Sequence, residues 1–321
     1  MAKKKRKARP RKRQVQTHSF LFAFRRMFIW ACVLLVCFMG YLFLNRYLAT
    51  SKDSENNPQK VASQLSDLDT TLDVNPEKTS NTSLKKYEYK VPVLEEFARL
   101  QVKRQEQVIN HEGYTVSYNS DYKIANWVAY ELTATEARSK KVERSNKFVS
   151  DPRVKGASAT NEDYTRTGYD RGHLAPAGDM KWSLKAMRES FYLSNICPQK
   201  PGLNRGLWKD LEEQIRLWAL DNESLLIVTG PVISDDLKRL GKNRVGIPRT
   251  FYKVVCSLSG NNLKGIAFLF ENRDYKNTSL KSMAIPIDSV EKVTGIDFFY
   301  FLPDAAEKEM EASIDWNDWS F

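Results

Sequence analysis

Residues 168–214 read GYDRGHLAPAGDMKWSLKAMRESFYLSNICPQKPGLNRGLWKDLEEQ and contain His173, one of three histidines in the chain. Around His173, Gly172 and Pro176 interrupt any regular helix. From position 205 the pattern changes. Leu207, Leu211, Ile215, Leu217 and Trp218 form an apolar stripe, Asn204 is a good N-cap, and Asp221-Asn222 offers a stop. The spacing predicts a helix over 205–220.

Working outward, short β-branched and aromatic runs flank this stretch. They predict a hairpin from 107–110 and 114–118, with His111, Glu112 and Gly113 at its turn. Further strands are expected at 127–133, 225–230, 251–258, 263–271 and 283–287, and further helices at 184–190 and 305–312. Strands and helices do not alternate strictly, so the fold class is α+β with a central antiparallel sheet.

The formal charge of +11 invites a nucleic-acid reading, but its location weakens that inference. Residues 1–26 carry eleven Lys and Arg and no acid; removing them from the 50 leaves 39, against 39 Asp and Glu. Nucleic-acid affinity in the remainder must come from a local patch. Of the four cysteines, Cys32 and Cys37 fall in an apolar run, which leaves Cys197 and Cys256 for the domain. No Cys or His spacing suits zinc, and the two are read as small buried residues ahead of a disulfide.

Residues 27–44, MFIWACVLLVCFMGYLFL, are uncharged and mostly apolar, about the minimum for a spanning helix. The basic flank puts the N-terminus in the cytoplasm and the rest across the membrane, as a single-pass signal anchor. Tyr47-Leu48-Ala49-Thr50 offers no small-x-small exit for a cleaved signal peptide. A twin-arginine reading of Arg25-Arg26 is disfavoured by the greasy core, and a nuclear address at residues 3–7 is less economical than a membrane flank. A basic, acid-free start also fits the mitochondrial inner membrane, the alternative location. Residues 45–86 follow as a flexible linker, whose polar composition cannot offset ordering entropy. The folded domain is expected over 87–321.

A neutral imidazole suits a general base near neutral pH. His18 precedes the apolar run and His111 lies in a turn, so His173 is the histidine for that role. Asn204, Trp208 and Glu212 are spaced by four, which puts them on one face of a continuous helix. Eight residues rise about 12 Å, too far for both ends to hold one ion directly. Asn204 is then the direct oxygen ligand and Glu212 an outer partner for metal-bound water, which suits magnesium. On spacing alone, an N-cap asparagine with a solvated glutamate is the better reading.

The blocks Gly168-Tyr169-Asp170-Arg171-Gly172-His173-Leu174-Ala175-Pro176, Tyr192-Leu193-Ser194-Asn195-Ile196-Cys197-Pro198-Gln199 and Asn204-Arg205-Gly206-Leu207-Trp208 with Glu212 alter that balance. In this order they resemble the DNA/RNA non-specific endonucleases, the family with the DRGH signature, and Asn126-Trp127-Val128-Ala129-Tyr130 resembles its early strand. The resemblance covers roughly residues 105–300. It implies a ββα-metal (His-Me finger) fold, with His173 as base, Asn204 on a Mg2+ or Mn2+ ion and Glu212 ordering its waters. It also implies Asn195 close to the metal and phosphate, Asp170 and Arg171 on the substrate side, and an upstream arginine at the transition state. Arg144 is the candidate, with Arg138 and Arg153 competing. The implied substrates are DNA and RNA, cut to 5′-phosphate and 3′-hydroxyl ends with little sequence preference, since phosphate contacts carry no base information.

Together these readings describe a membrane-anchored endonuclease; whether it forms a homodimer stays open. A catalytically silent nucleic-acid-binding or uptake protein is the alternative, and a membrane-bound sensor domain a third. Neither of the two has a use for an intact His173, Asn204 and Glu212 set.

Overall fold

The computed structural model describes residues 90–258 and 263–321. The basic start, the apolar run 27–44 and the linker 45–86 lie outside the described residues. Among those described, no helix is long and apolar enough to cross a membrane.

Among the described residues, thirteen strands occur in chain order. They are β1 (Ala98–Leu100), β2 (Gln107–Asn110), β3 (Thr115–Asn119), β4 (Ile124–Thr133), β5 (Asp170–His173), β6 (Ile196–Gln199) and β7 (Ser224–Pro231). Then come β8 (Lys238–Leu240), β9 (Val245–Ile247), β10 (Thr250–Ser257), β11 (Lys264–Glu271), β12 (Ala284–Ile285) and β13 (Ile296–Phe298). The helices are α1 (Ala134–Arg138), α2 (Asn161–Tyr164), α3 (Leu184–Glu189), α4 (Pro201–Asn204), α5 (Leu207–Asp221), α6 (Ile287–Thr294) and α7 (Asp304–Ala312).

Seven strands form the central sheet in the order β12-β11-β10-β7-β4-β3-β2, antiparallel throughout. The α+β class with a central antiparallel sheet is therefore observed. Side chains on β10 alternate with the pleat. Phe251 and Val255 join Trp208, Leu211, Ile215 and Trp218 of α5 in one core. Tyr252, Val254 and Cys256 face the other side, among Ile287 and Val290 of α6, Met310 of α7 and Phe298 of β13. Each fully buried large apolar side chain contributes roughly 1.5–3 kcal/mol, so burial on both faces fixes the sheet as a wall between two layers. Cys197 and Cys256 are free and buried within these layers.

Two local expectations change. Residues 283–287 are strand only at Ala284–Ile285; Pro286 then starts α6, and Gly295, at φ 65°, ends it in the left-handed region. The helix expected over 205–220 is two pieces. Pro201 opens α4 as a first-turn proline, and α5 begins only after Gly206, so Asn204 ends α4 and does not cap α5. A Cβ on Gly206 would lie 2.5 Å from the carbonyl oxygen of Gly202, which explains a glycine at this break. The single-face argument for Asn204 and Glu212 therefore fails, because no continuous helix joins them.

The DRGH segment, expected to form no regular helix, is strand β5, paired antiparallel with β6 from Asp170↔Gln199 to His173↔Ile196. A Cβ at Gly172 would fall 2.0 Å from Oε1 of Gln199, so the side chain crossing from β6 demands glycine there.

Candidate active site

The β5–β6 hairpin presents His173 at its end, and α5 is tied directly to it. Trp208 donates Nε1–H to the His173 carbonyl at 3.1 Å. The imidazole packs against Phe148 and Phe191, with ring centroids 5.4 and 4.7 Å away, and is 7% exposed. Its Nε2 is enclosed and has no hydrogen-bond partner. Burial, then the Arg144 charge, lowers its pKa to about 3, so the ring is neutral at pH 7.

That shift carries a stability consequence with a definite sign. The folded pKa of His173 lies below the unfolded value of 6.5. As pH falls from 6.5 towards 3, the unfolded chain takes up a proton that the folded chain refuses. Stability is thus lost on acidification, by at most about 1.4 kcal/mol per pH unit from this group. His173→Gln should flatten the acid limb of melting temperature against pH between pH 6.5 and 4.5. Parallel limbs for the two proteins would contradict the buried, neutral imidazole.

Asn195 is fully buried, and its amide is engaged on backbone. Its Oδ1 accepts from Ala175 N, and its Nδ2 donates to the Ala175 and Ser190 carbonyls, each at 2.9 Å. The geometry gives it a clamping position on the segment that follows His173. It leaves the amide closed to a phosphate or an ion.

Asn204 lies at the end of α4, half-buried, where Asp170 of β5 accepts from its Nδ2 at 3.0 Å. The same carboxylate accepts from Arg205 Nε and Nη2 at 2.8 and 2.6 Å, and these donors hold its pKa low against burial. Asp170 is therefore an anchor for Asn204, and as a carboxylate it is unsuited to touch a phosphate. The Asn204 Oδ1 accepts no hydrogen bond among the described residues. Arg171 donates to the Asn161 carbonyl at 2.8 Å and lies over the rings of Phe148 and Tyr164. Its guanidinium is thus tied into the surrounding loops.

Glu212 lies on α5, one turn before Arg216. Its carboxylate accepts no hydrogen bond among the described residues. Burial raises its pKa, while Lys253, Arg216 and Arg144 oppose the rise. Beneath it, Asp179 accepts from Arg216 Nη1 at 2.7 Å and from the Tyr130 hydroxyl at 3.1 Å. Lys253 of β10 is wholly buried, donates Nζ–H to the Leu174 carbonyl at 3.2 Å, and lies 4.7 Å from the Trp208 ring centroid. Two cations and Asp179 thus floor the Glu212 carboxylate.

Of the three upstream arginines, Arg144 stacks over Phe191, with Cζ 5.2 Å from the ring centroid, and its charge acts on both His173 and Glu212. Arg138 ends α1 on the surface. Arg153 donates to the Asn110 carbonyl beside His111. His111 itself is a buried ring bonded to Asp151 at 2.9 Å, with Ser194 donating to the same carboxylate at 2.6 Å. It stacks on Tyr114 and Tyr192, with ring centroids 4.6 and 5.3 Å away.

Sequence reasoning did not find Lys253, Asp179, Arg216, Phe148 or Phe191. Lys253 left one signal, a lone cation inside the apolar strand TFYKVVC. Arg216 left another, its four-residue spacing from Glu212. The Oδ1 of Asn204 and the carboxylate of Glu212 are each left without a hydrogen-bond donor among the described residues, and both are oxygen ligands of the kind a hard divalent cation takes.

A neutral histidine on a β hairpin, held by a helix packed on this antiparallel sheet, is the setting in which the comparisons place the chain in a family. It belongs to the DNA/RNA non-specific endonucleases: residues 96–305 match the family model, and every residue discussed in this site falls within them. It is accordingly a nuclease, a hydrolase. Human mitochondrial endonuclease G is 32% identical over 205 residues, covering 60% of this chain and 69% of the relative. Nuclease C1 of Cunninghamella echinulata is 35% identical over 207 residues, covering 60% and 82%. Among solved structures, EndoG in the EndoG/EndoGI complex aligns with a TM-score of 0.58 and 32% identity, covering 62% of this chain and 87% of that one.

Proposed function

We propose that the chain is a membrane-anchored, metal-dependent endonuclease that hydrolyses DNA and RNA with little sequence preference. The observation that carries this reading is a neutral His173 whose Nε2 has no hydrogen-bond partner among the described residues, held by Trp208, on the same strand whose Asp170 fixes the Asn204 amide. The β5–β6 hairpin followed by α5 supplies the ββα unit of the proposed metal-binding fold.

In this reading His173 takes a proton from water as the water attacks phosphorus in line. Phe148 and Phe191 hold the ring and keep bulk solvent from it. Arg144 faces the phosphate, where its charge stabilises the transition state. Asp170 fixes the amide of Asn204 through Nδ2, which leaves Oδ1 for a ligand, and Asn195 holds the backbone after His173. Asn204 would hold Mg2+ or Mn2+ directly, with Glu212 ordering its waters. When bound, the ion supplies charge neutralisation at the phosphate and departing oxygens.

The anchor rests on residues 27–44 and their basic flank, which put the nuclease domain on the extracytoplasmic side. A second location, the mitochondrial inner membrane, is favoured by relatives named as mitochondrial in human, zebrafish and yeast. The full chain should remain with carbonate-washed membranes. There it should degrade plasmid DNA and structured RNA at comparable rates, and EDTA should stop both. Activity only in the wash contradicts the anchor, EDTA resistance contradicts the metal, and inactivity on both substrates leaves the silent binding protein.

A further inference from the structure

On the face of the sheet opposite His173, α6 and α7 pack together and bring Asp288, Glu291 and Glu311 into one cluster. Each offers a carboxylate oxygen, and the three oxygens lie within 4.8 Å of one another. We infer that these three side chains form a binding site for a calcium-sized divalent cation, separate from the nuclease centre.

Four observations carry it. Glu311 is 4% exposed, and its Oε1 is enclosed without a hydrogen-bond partner, so a buried carboxylate is aimed into the cluster unsatisfied. Buried carboxylates are ordinarily paired with a cation or coordinate a metal. Among the described residues, no Lys or Arg forms an ion pair with Asp288, Glu291 or Glu311; the neighbouring Arg99 pairs with Asp297. Glu291 and Glu311 also sit in the last turns of their helices, where the helix dipole disfavours negative charge.

The surroundings deepen the charge imbalance. Burial, then Glu291, Glu307, Asp288 and Asp297, pushes the Glu311 carboxyl up to about 9, and burial with neighbouring acids pushes Glu307 up to about 7. Either a cation or retained protons must neutralise the cluster. Calcium takes oxygen ligands at about 2.4 Å, so no two of them stand more than about 4.8 Å apart, and the three oxygens here fall within that limit. Asp288 is partly exposed and gives solvent a way in. Asp288 and Glu291 lie within the residues that match the family model, and Glu311 lies beyond them.

The test is thermal unfolding and calorimetric titration with calcium chloride on the full chain, stripped with EDTA and dialysed. Calcium at a hundredfold above its dissociation constant should raise the Tm by roughly 5 °C. Asn204→Ala, which removes the nuclease-centre ligand, should keep that rise. Glu311→Gln should lose it, yet melt higher than the unsubstituted chain in EDTA near neutral pH, because the neutral amide spares the cost of protonating a buried carboxylate. If Glu311→Gln does not fold, the partly exposed Asp288→Asn serves, with at least tenfold weaker calcium binding expected. A Tm indifferent to calcium, or a rise lost in Asn204→Ala but kept in Glu311→Gln and Asp288→Asn, would show that protons neutralise the cluster and overturn the site.

Discussion

His173→Ala should cut DNA and RNA between a hundred and ten thousand times more slowly, the range that a positioned general base contributes, roughly 10²–10⁴-fold. The fall should appear in kcat with KM little changed, because the imidazole takes part in proton transfer and does not hold the substrate. The neutral state of the ring is already secured by burial between Phe148 and Phe191, with Arg144 nearby. His18 and His111 cannot substitute. His18 precedes the apolar run, and His111 is buried and bonded to Asp151. Truncation to alanine also opens space, so circular dichroism and a melt must show a folded variant; retained full activity in such a variant would remove His173 from the mechanism.

The second large effect belongs to Asn204→Ala. Asn204 contributes the one side-chain oxygen that Asp170 orients and that nothing else in the described chain occupies. Its loss should lower activity by about two orders of magnitude or more and raise the magnesium concentration for half-maximal rate. Asp170→Asn should show a weaker version, roughly 10–100-fold in metal affinity, because it releases the amide without deleting the oxygen. Excess magnesium should then recover much of its rate. An unchanged magnesium dependence in Asn204→Ala would move the ion elsewhere.

The family was legible because the residues that carry the resemblance are local. Asp170, His173, Asn195, Asn204 and Glu212 fall in one short stretch whose residue types and order resemble a known signature. Their mutual geometry was not legible. Gly206 reads as a tolerated glycine within a helical pattern, yet the chain folds back on Gly202 there and splits the helix, which removes the basis for a shared face. Asn195 looked like a phosphate neighbour, while its amide is engaged by the Ala175 and Ser190 backbone. Lys253 was invisible for a different reason. It reaches the centre only through the pairing of β10 with β7 and the packing of α5 on that sheet, contacts that no local pattern encodes. The strand expected at 283–287 misread an apolar run whose proline starts a helix.

The central claim is hydrolysis by activated water at a metal-assisted phosphodiester, and the ends left on RNA test it most directly. An enzyme using water leaves a 5′-phosphate and a 3′-hydroxyl on both nucleic acids. Attack by the 2′-hydroxyl, which needs no metal and no water nucleophile, leaves a 2′,3′-cyclic phosphate and spares DNA. Mapping the termini of one RNA and one DNA of matched sequence, cut by the full chain with magnesium, should give 5′-phosphates and 3′-hydroxyls on both. Cyclic phosphates on the RNA, with the DNA intact, would contradict the account.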